Sequence, residues 1–208
     1  MSSPSLSPKL VTLTSTSPTS RVYLRSPTPS DAENLFARAK DPKCNTYVPF
    51  LQSDACTLES THRSIARWRT NSYISSLVVV IVNKATNAVI GDTGFQGIDF
   101  EKKTGELGIM IDSDPAIRGN GYAIEILDIL FSYGFHEKYL GLEKVVFFTS
   151  GDNVPMREVL KRKLGLEERY REEEQDWEYV ADKAWWTMRR EGGVVAGVVE
   201  EIWNEHDT

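Results

Sequence analysis

Arg118-Gly119-Asn120-Gly121-Tyr122-Ala123 lies between the pattern of a strand, 106–112, and that of an apolar helix, 124–135. Two glycines at such a junction let the backbone approach a ligand with no Cβ in the way. The free N–H groups of the helix's first turn, reinforced by its dipole, favour anionic oxygens. Arg118 adds a fixed charge that can bond a phosphate through two donors. A pyrophosphate fits such a loop. Two other phosphate loops do not match: Ile124 stands where a dinucleotide loop needs its third glycine, and no G-x-x-x-x-G-K-[ST] string occurs. On its own the loop reads equally well as a glycine-rich turn that caps a helix.

The elements around the loop follow from periodicity. Arg21–Arg25 predicts a short strand, and Ser30-Asp31-Ala32-Glu33 a capping box opening a helix with Leu35, Phe36 and Ala39 on its apolar stripe. A polar stretch over 41–54 leads to a second helix around 57–69. Leu77–Val82 is an unbroken apolar, mostly β-branched run, the signature of a strand buried on both faces. Val89–Ile98 is its expected antiparallel partner, with glycines marking bends or a bulge. Along 104–112, Leu107, Ile109 and Ile111 share one face, and Glu106, Gly108, Met110 and Asp112 the other.

Lys144–Thr149 predicts a further strand, followed by a helix from its cap at Asn153 to Lys163, with Pro155 in the first turn and Gly165 past the end. A last strand at Trp185-Trp186-Thr187-Met188 completes the order β-α-α-β-β-β-α-β-α-β, with or without one more strand near 169–171. Residues 1–20, rich in Ser, Thr and Pro, are expected to be a flexible tail without the apolar core of a secretory signal. Residues 21–191 form the single expected domain. The extension 192–208, with its apolar core over 194–199, fits a packing element, a dimer contact or a frayed end equally well.

Bulk properties narrow the function. With 208 residues, 40% hydrophobic and 26% charged, the chain suits one globular α/β domain. A formal charge of −6 argues against nucleic-acid binding and agrees with a cationic substrate. Cys44 and Cys56 are too few for a disulfide framework, and the three histidines show no ligand spacing, so no metal is expected. No apolar run approaches the roughly 20 residues that span a bilayer. The expected location is the cytoplasm, with no membrane partner.

Arg118-x-x-Gly121-x-Ala123 resembles the acyl-CoA signature of the GCN5-related N-acetyltransferase (GNAT) superfamily, and the element order places it at that family's strand–helix junction. Asn153-x-x-Met156-x-x-Val159-Leu160 with Lys163-Leu164-Gly165-Leu166 resembles a later motif of the branch that acetylates ribosomal-protein N-termini (RimJ/RimL-like) and its small-amine relatives. The resemblance spans about residues 21–190. It implies an acyl-CoA N-acyltransferase fold: mixed α/β, with a mostly antiparallel central sheet flanked by helices. Three departures stand out. Met156 replaces the usual Ser, the helix after Asn153 is one residue longer than the motif, and no tyrosine occupies the neighbourhood of Leu160, where many relatives carry the proton donor for the leaving thiolate.

The resemblance further implies acetyl-CoA as co-substrate and a primary amine as acceptor, acted on by a monomer or homodimer. It implies that the groups of Met110, Ile111, Arg118, Gly119, Asn120, Gly121, Tyr122, Ala123 and Asn153 hold the cofactor. Amines with pKa values of about 8 to 10.4 are mostly protonated at neutral pH, so transfer needs a base. Glu106 is the candidate, since histone-acetylating relatives carry a glutamate at a similar distance before their motif. A solvated strand-end glutamate is the competing reading. Arg157, Lys161, Arg162 and Lys163 read as a solvated face more than as phosphate ligands. The resemblance places acceptor selection at Tyr47, Phe50, Asp54, Trp68, Glu172–Glu174 and Trp177, which suit ordinary packing and a solvated acidic turn at least as well. A non-catalytic acyl-CoA-binding module and a different nucleotide-binding domain remain the alternatives.

Overall fold

The computed structural model describes residues 8–193 and 196–203. Its centre is one nine-stranded sheet in the order β7-β8-β6-β5-β4-β3-β2-β1-β9. The strands are β1 (Leu10–Ser15), β2 (Val22–Arg25), β3 (Leu77–Asn83), β4 (Val89–Asp99), β5 (Thr104–Ile111), β6 (Lys144–Thr149), β7 (Glu168–Arg171), β8 (Asp176–Asp182) and β9 (Val198–Trp203). All neighbours run antiparallel except β5 and β6. This is the expected mixed α/β architecture.

Helices cover the two faces unequally. On one, α3 (Tyr122–Phe135) lies almost wholly buried against Val79, Ile81, Phe95, Leu107 and Phe147, and α5 (Lys183–Glu191) adds Trp186. On the other, α1 (Ala32–Lys40) and α2 (Leu58–Asn71) enclose Leu35 and Ile65 over Val80 and Val82. β3 is buried along its whole length, as its unbroken apolar run requires. At Gly94 (φ +146°) an added Cβ would sit 1.9 Å from the Leu77 carbonyl oxygen, so only glycine allows β3 and β4 to pair there.

Several expectations shift. The capping box before α1 lies two residues earlier than Ser30–Glu33: Asp31 accepts the Thr28 N–H at 2.7 Å and pairs with Arg25. Trp185–Met188 is helix, not strand. Asp182 caps α5 by accepting the Trp185 N–H at 2.7 Å, and the ring of Trp186 packs on Phe131 and Phe135 while Met188 faces solvent. The last strand beside β6 is instead β8.

Residues 10–15 are not a tail but β1, and residues 198–203 pair with it as β9. Tyr73 and Tyr133 both donate their hydroxyls to the Glu200 carboxylate, and Ser132 donates to the Ala196 carbonyl at 2.9 Å. Burial, and secondly Glu200, raise the Tyr73 pKa, so that hydroxyl stays a donor. Residues 1–7, Val194, Val195 and 204–208 lie outside the described residues.

Candidate active site

β5 and β6 pair only from Thr104/Lys144 to Glu106/Val146. Beyond that point the strands part, while β5 continues to Ile111 on β4 and β6 continues to Thr149 on β8. One edge of each is left without a ladder partner, so the sheet opens into a V with backbone polar groups on its walls. Glu106 stands where the V begins.

The glycine loop stands at the far end of β5. Gly119 and Gly121 take φ of 81° and 80°, a left-handed backbone that side chains resist. Gly121 is the N-cap of α3 and gives it no side-chain bond. Among the described residues, the N–H groups of Gly119, Asn120, Gly121 and Tyr122 have no protein acceptor. That is the donor set an anion at a helix N-terminus requires. A Cβ at Gly119 would project into open space, so its bareness serves backbone conformation and not internal packing.

Arg118 reaches across to another element. Its Nη1 donates to the Lys43 carbonyl at 2.9 Å and its Nη2 to the Ile111 carbonyl at 3.1 Å. Ser113 also donates to Asp41 at 2.6 Å, so the segment after α1 is tied to the loop twice. Asn120 bonds the Pro115 carbonyl at 2.9 Å. Tyr122 accepts from Asn83 at 3.3 Å, beneath the Arg21 guanidinium 4.0 Å from its ring centre. Arg21 also donates to the Asn120 carbonyl at 3.0 Å and pairs with Glu125. Sequence reading missed Arg21, because it lies far from the loop along the chain. Ala123 is half-buried in the first turn of α3.

Asn153 caps α4 (Val154–Glu158), accepting the Met156 N–H at 3.3 Å, and donates to Thr149 at the end of β6 at 2.9 Å. The helix then widens into a π turn, Val159–Lys163, where the Leu164 N–H reaches the Val159 carbonyl at 3.0 Å. A π turn accommodates one extra residue without breaking the helix, which accounts for the extra length after Asn153. Leu160, where a proton-donating tyrosine stands in many relatives, is fully buried.

Three cations of this segment, Arg157, Lys161 and Arg162, have partners. Arg157 bonds Glu168 at 3.0 Å and the Gly151 carbonyl at 3.1 Å, Lys161 joins Glu168, and Arg162 pairs with Glu158. The bonds from Lys161, then Arg157, pull the Glu168 carboxyl down to about 2. Its folded-state pKa therefore lies below the ordinary 4.5, so its contribution to stability is complete above that value and fades as pH falls toward 2. The melting temperature of Glu168→Gln is expected to be lower than wild type at pH 6, with the gap closing near pH 2. A gap independent of pH would contradict this.

Glu106 shares a face with Gly108 and Met110, as alternation requires. Register adds Gln96 from β4, Val146 and Phe148 from β6, Asp176 and Glu178 from β8, and Arg171 from β7. Helices α1 and α2 cover only the β2–β4 part of this side, and Glu106, Gly108 and Val180 remain exposed. Glu106 keeps a path to water, yet surrounding protein displaces enough solvent to raise its carboxyl above the usual range. Arg171 opposes that rise and Asp176 adds to it.

Of the expected acceptor residues, Trp68 packs into the α1–α2 core, and Trp177 lies on the opposite face under Arg157. Tyr47 and Asp54 are exposed on the segment between α1 and α2, and Glu172–Glu174 on the β7–β8 turn. The Phe50 side chain is outside the described residues. Among the described residues no His, Cys, Asp or Glu cluster suits a metal, and no helix is long and apolar enough to cross a membrane.

Comparison with known proteins agrees with this geometry. No curated protein matches the chain by sequence. Among solved structures, RimJ of Mycobacterium smegmatis, in complex with CoA-disulfide, is 16% identical with a TM-score of 0.68, over 92% of this chain and 95% of its own. Spermidine N-acetyltransferase from Vibrio cholerae, with CoA and spermine, is 16% identical with a TM-score of 0.66, over 81% and 99%. The microcin C7 self-immunity acetyltransferase MccE, with acetyl-CoA and AMP, is 17% identical with a TM-score of 0.65, over 81% and 98%. At such identities the likeness speaks to fold. Residues 21–167, which carry the parted strands and the glycine loop, match the acetyltransferase (GNAT) domain model, and the chain belongs to that family.

Proposed function

We propose that the protein is an acetyl-CoA-dependent N-acetyltransferase acting on a primary amine by direct attack in a ternary complex. The observation that carries this reading is the V between β5 and β6, with a run of four N–H groups at its far end that have no acceptor among the described residues. Arg118 and the backbone from Gly119 to Ala123 would take the pyrophosphate. Backbone groups at Met110 and Ile111 would meet the pantetheine arm and thioester, and Asn153 would close the other wall.

Glu106 removes a proton from the acceptor ammonium, directly or through water. The freed nitrogen attacks the thioester carbon and sheds its second proton as the C–S bond breaks, and the departing thiolate takes up a proton, leaving the amide and the CoA thiol. Holding both substrates in one cleft removes much of the entropic barrier. The presence of acetyl-CoA, CoA or spermine in the similar structures supports the co-substrate and an amine acceptor. The later motif supports placement near the RimJ/RimL-like branch, with a protein N-terminus, a lysine or a small amine as acceptor. A non-catalytic acyl-CoA sensor is the second reading, favoured by the buried Leu160 in place of a tyrosine.

Thermal unfolding with acetyl-CoA, CoA, ATP and NAD tests the cofactor. A ligand at a hundred times its Kd adds about 2.7 kcal/mol, or roughly 5–10 °C for a domain of this size. A rise confined to the two CoA ligands is expected. Stabilisation by ATP or NAD, or none by CoA at millimolar concentration, would remove the basis of this reading.

A further inference from the structure

The β7–β8 hairpin brings a charged pair to the mouth of the V. Arg171 grips Asp176 through two bonds, Nε to Oδ1 and Nη2 to Oδ2, each 2.7 Å. Its guanidinium lies 3.9 Å from the centre of the Phe148 ring. Phe148 is on the strand beside Glu106, on the same face and just past Val146, the residue opposite Glu106. An aromatic ring and a bidentate carboxylate fix a side chain that would otherwise move freely. The cation is thus parked over Phe148, on the open face that Glu106 shares.

We propose that Arg171, held by Phe148 and Asp176, is a positioning residue that sets the charge state of Glu106. The inference rests on Glu106 being the base. A nearby cation favours the carboxylate form and a nearby anion the acid form. With both present in one rigid pair, Glu106 stays able to accept a proton in a site that partly desolvates it. The arrangement is asymmetric, because Arg171 favours the carboxylate and Asp176 the acid.

Other charges on this side do not substitute for the pair. Arg169 lies 3.9 Å from Glu178 on the next strands, and Asp92 on β4 is engaged by Arg38 at 3.2 Å. Lys144 is on the same face as Glu106 but at the closed end of β6, opposite Thr104. Directly across β4, Gln96 carries no charge.

The test is a titration of the free protein at low salt, labelled with 13C at glutamate Cδ. The Glu106 signal is the one absent from Glu106→Gln. In Arg171→Gln its midpoint should move up by about half a pH unit or more, and in Asp176→Asn down by a similar amount. Arg171→Lys, which keeps the charge, should return the midpoint toward wild type. Loss of hairpin structure alone would move both neutralising variants the same way. Should Arg171→Gln not fold, the downward shift in Asp176→Asn carries the test. An unmoved midpoint, or shifts of one sign, overturns the proposal. Turnover in Glu106→Gln equal to wild type would instead remove the base and leave the titration result standing.

Discussion

Replacing Glu106 by Gln is expected to lower acetyl transfer about 10²- to 10⁴-fold, the usual contribution of a positioned acid or base. That corresponds to about 3–5 kcal/mol of barrier. The amide keeps the size and the hydrogen-bonding reach of the carboxylate but takes no proton. Glu106 lies where the V begins and not among the loop groups, so acetyl-CoA affinity should stay nearly constant. Its side chain is exposed, so the fold should not suffer. The defect should shrink as pH approaches the acceptor's own pKa, because a larger fraction of amine then arrives neutral. Steady-state rates across pH and calorimetric binding of acetyl-CoA check both halves. A variant as fast as wild type at every pH would exclude Glu106 as the base. A wild-type protein that binds CoA yet acetylates no amine would favour the sensor.

The second large effect is on stability. Glu200→Ala should lower the melting temperature by roughly 4–24 °C. Tyr133 is fully buried and Tyr73 nearly so, and both hydroxyls depend on this one carboxylate. Leaving two buried donors unpaired costs about 1–3 kcal/mol each, and each kcal/mol is about 2–4 °C for a domain of this size. Glu200→Gln, which keeps one acceptor oxygen, should fall between. The neighbouring Glu201 is exposed, and Glu201→Ala should change little. Adding Tyr73→Phe and Tyr133→Phe to Glu200→Ala should recover part of the loss, since the stranded hydroxyls are then gone. A Glu200→Ala protein melting with wild type would show that β9 is not held by this contact.

What the chain reveals by inspection is what is local. The loop from Arg118 to Ala123 could be placed because its glycines, its cation and the helix after it are contiguous. The buried run of β3, the cap at Asn153 and the face shared by Glu106, Gly108 and Met110 follow from periods of a few residues. Trp185-Trp186 misled because two adjacent aromatics suit a strand or a helix, and only the cap at Asp182 and the packing of Trp186 on α3 decide. Leu10–Ser15 hid in Ser- and Thr-rich surroundings, since its partners β2 and β9 are not its sequence neighbours on both sides. The grouping of Arg171, Phe148, Asp176 and Glu106 depends on the register of four strands, which no short window contains. The extra residue after Asn153 was visible as a length, but its π turn was not.

The pairing of β1 with β9 also orders events during synthesis. β1 emerges from the ribosome first, and of its two neighbours only β2 follows at once. Its other edge waits while almost the whole described chain is made. Contacts of such long sequence separation form slowly, and an unpaired strand edge is a template for another chain. Nascent or truncated chains without β9 would therefore be the species most prone to associate, and solubility during expression would depend on a strand remote from the glycine loop and Glu106.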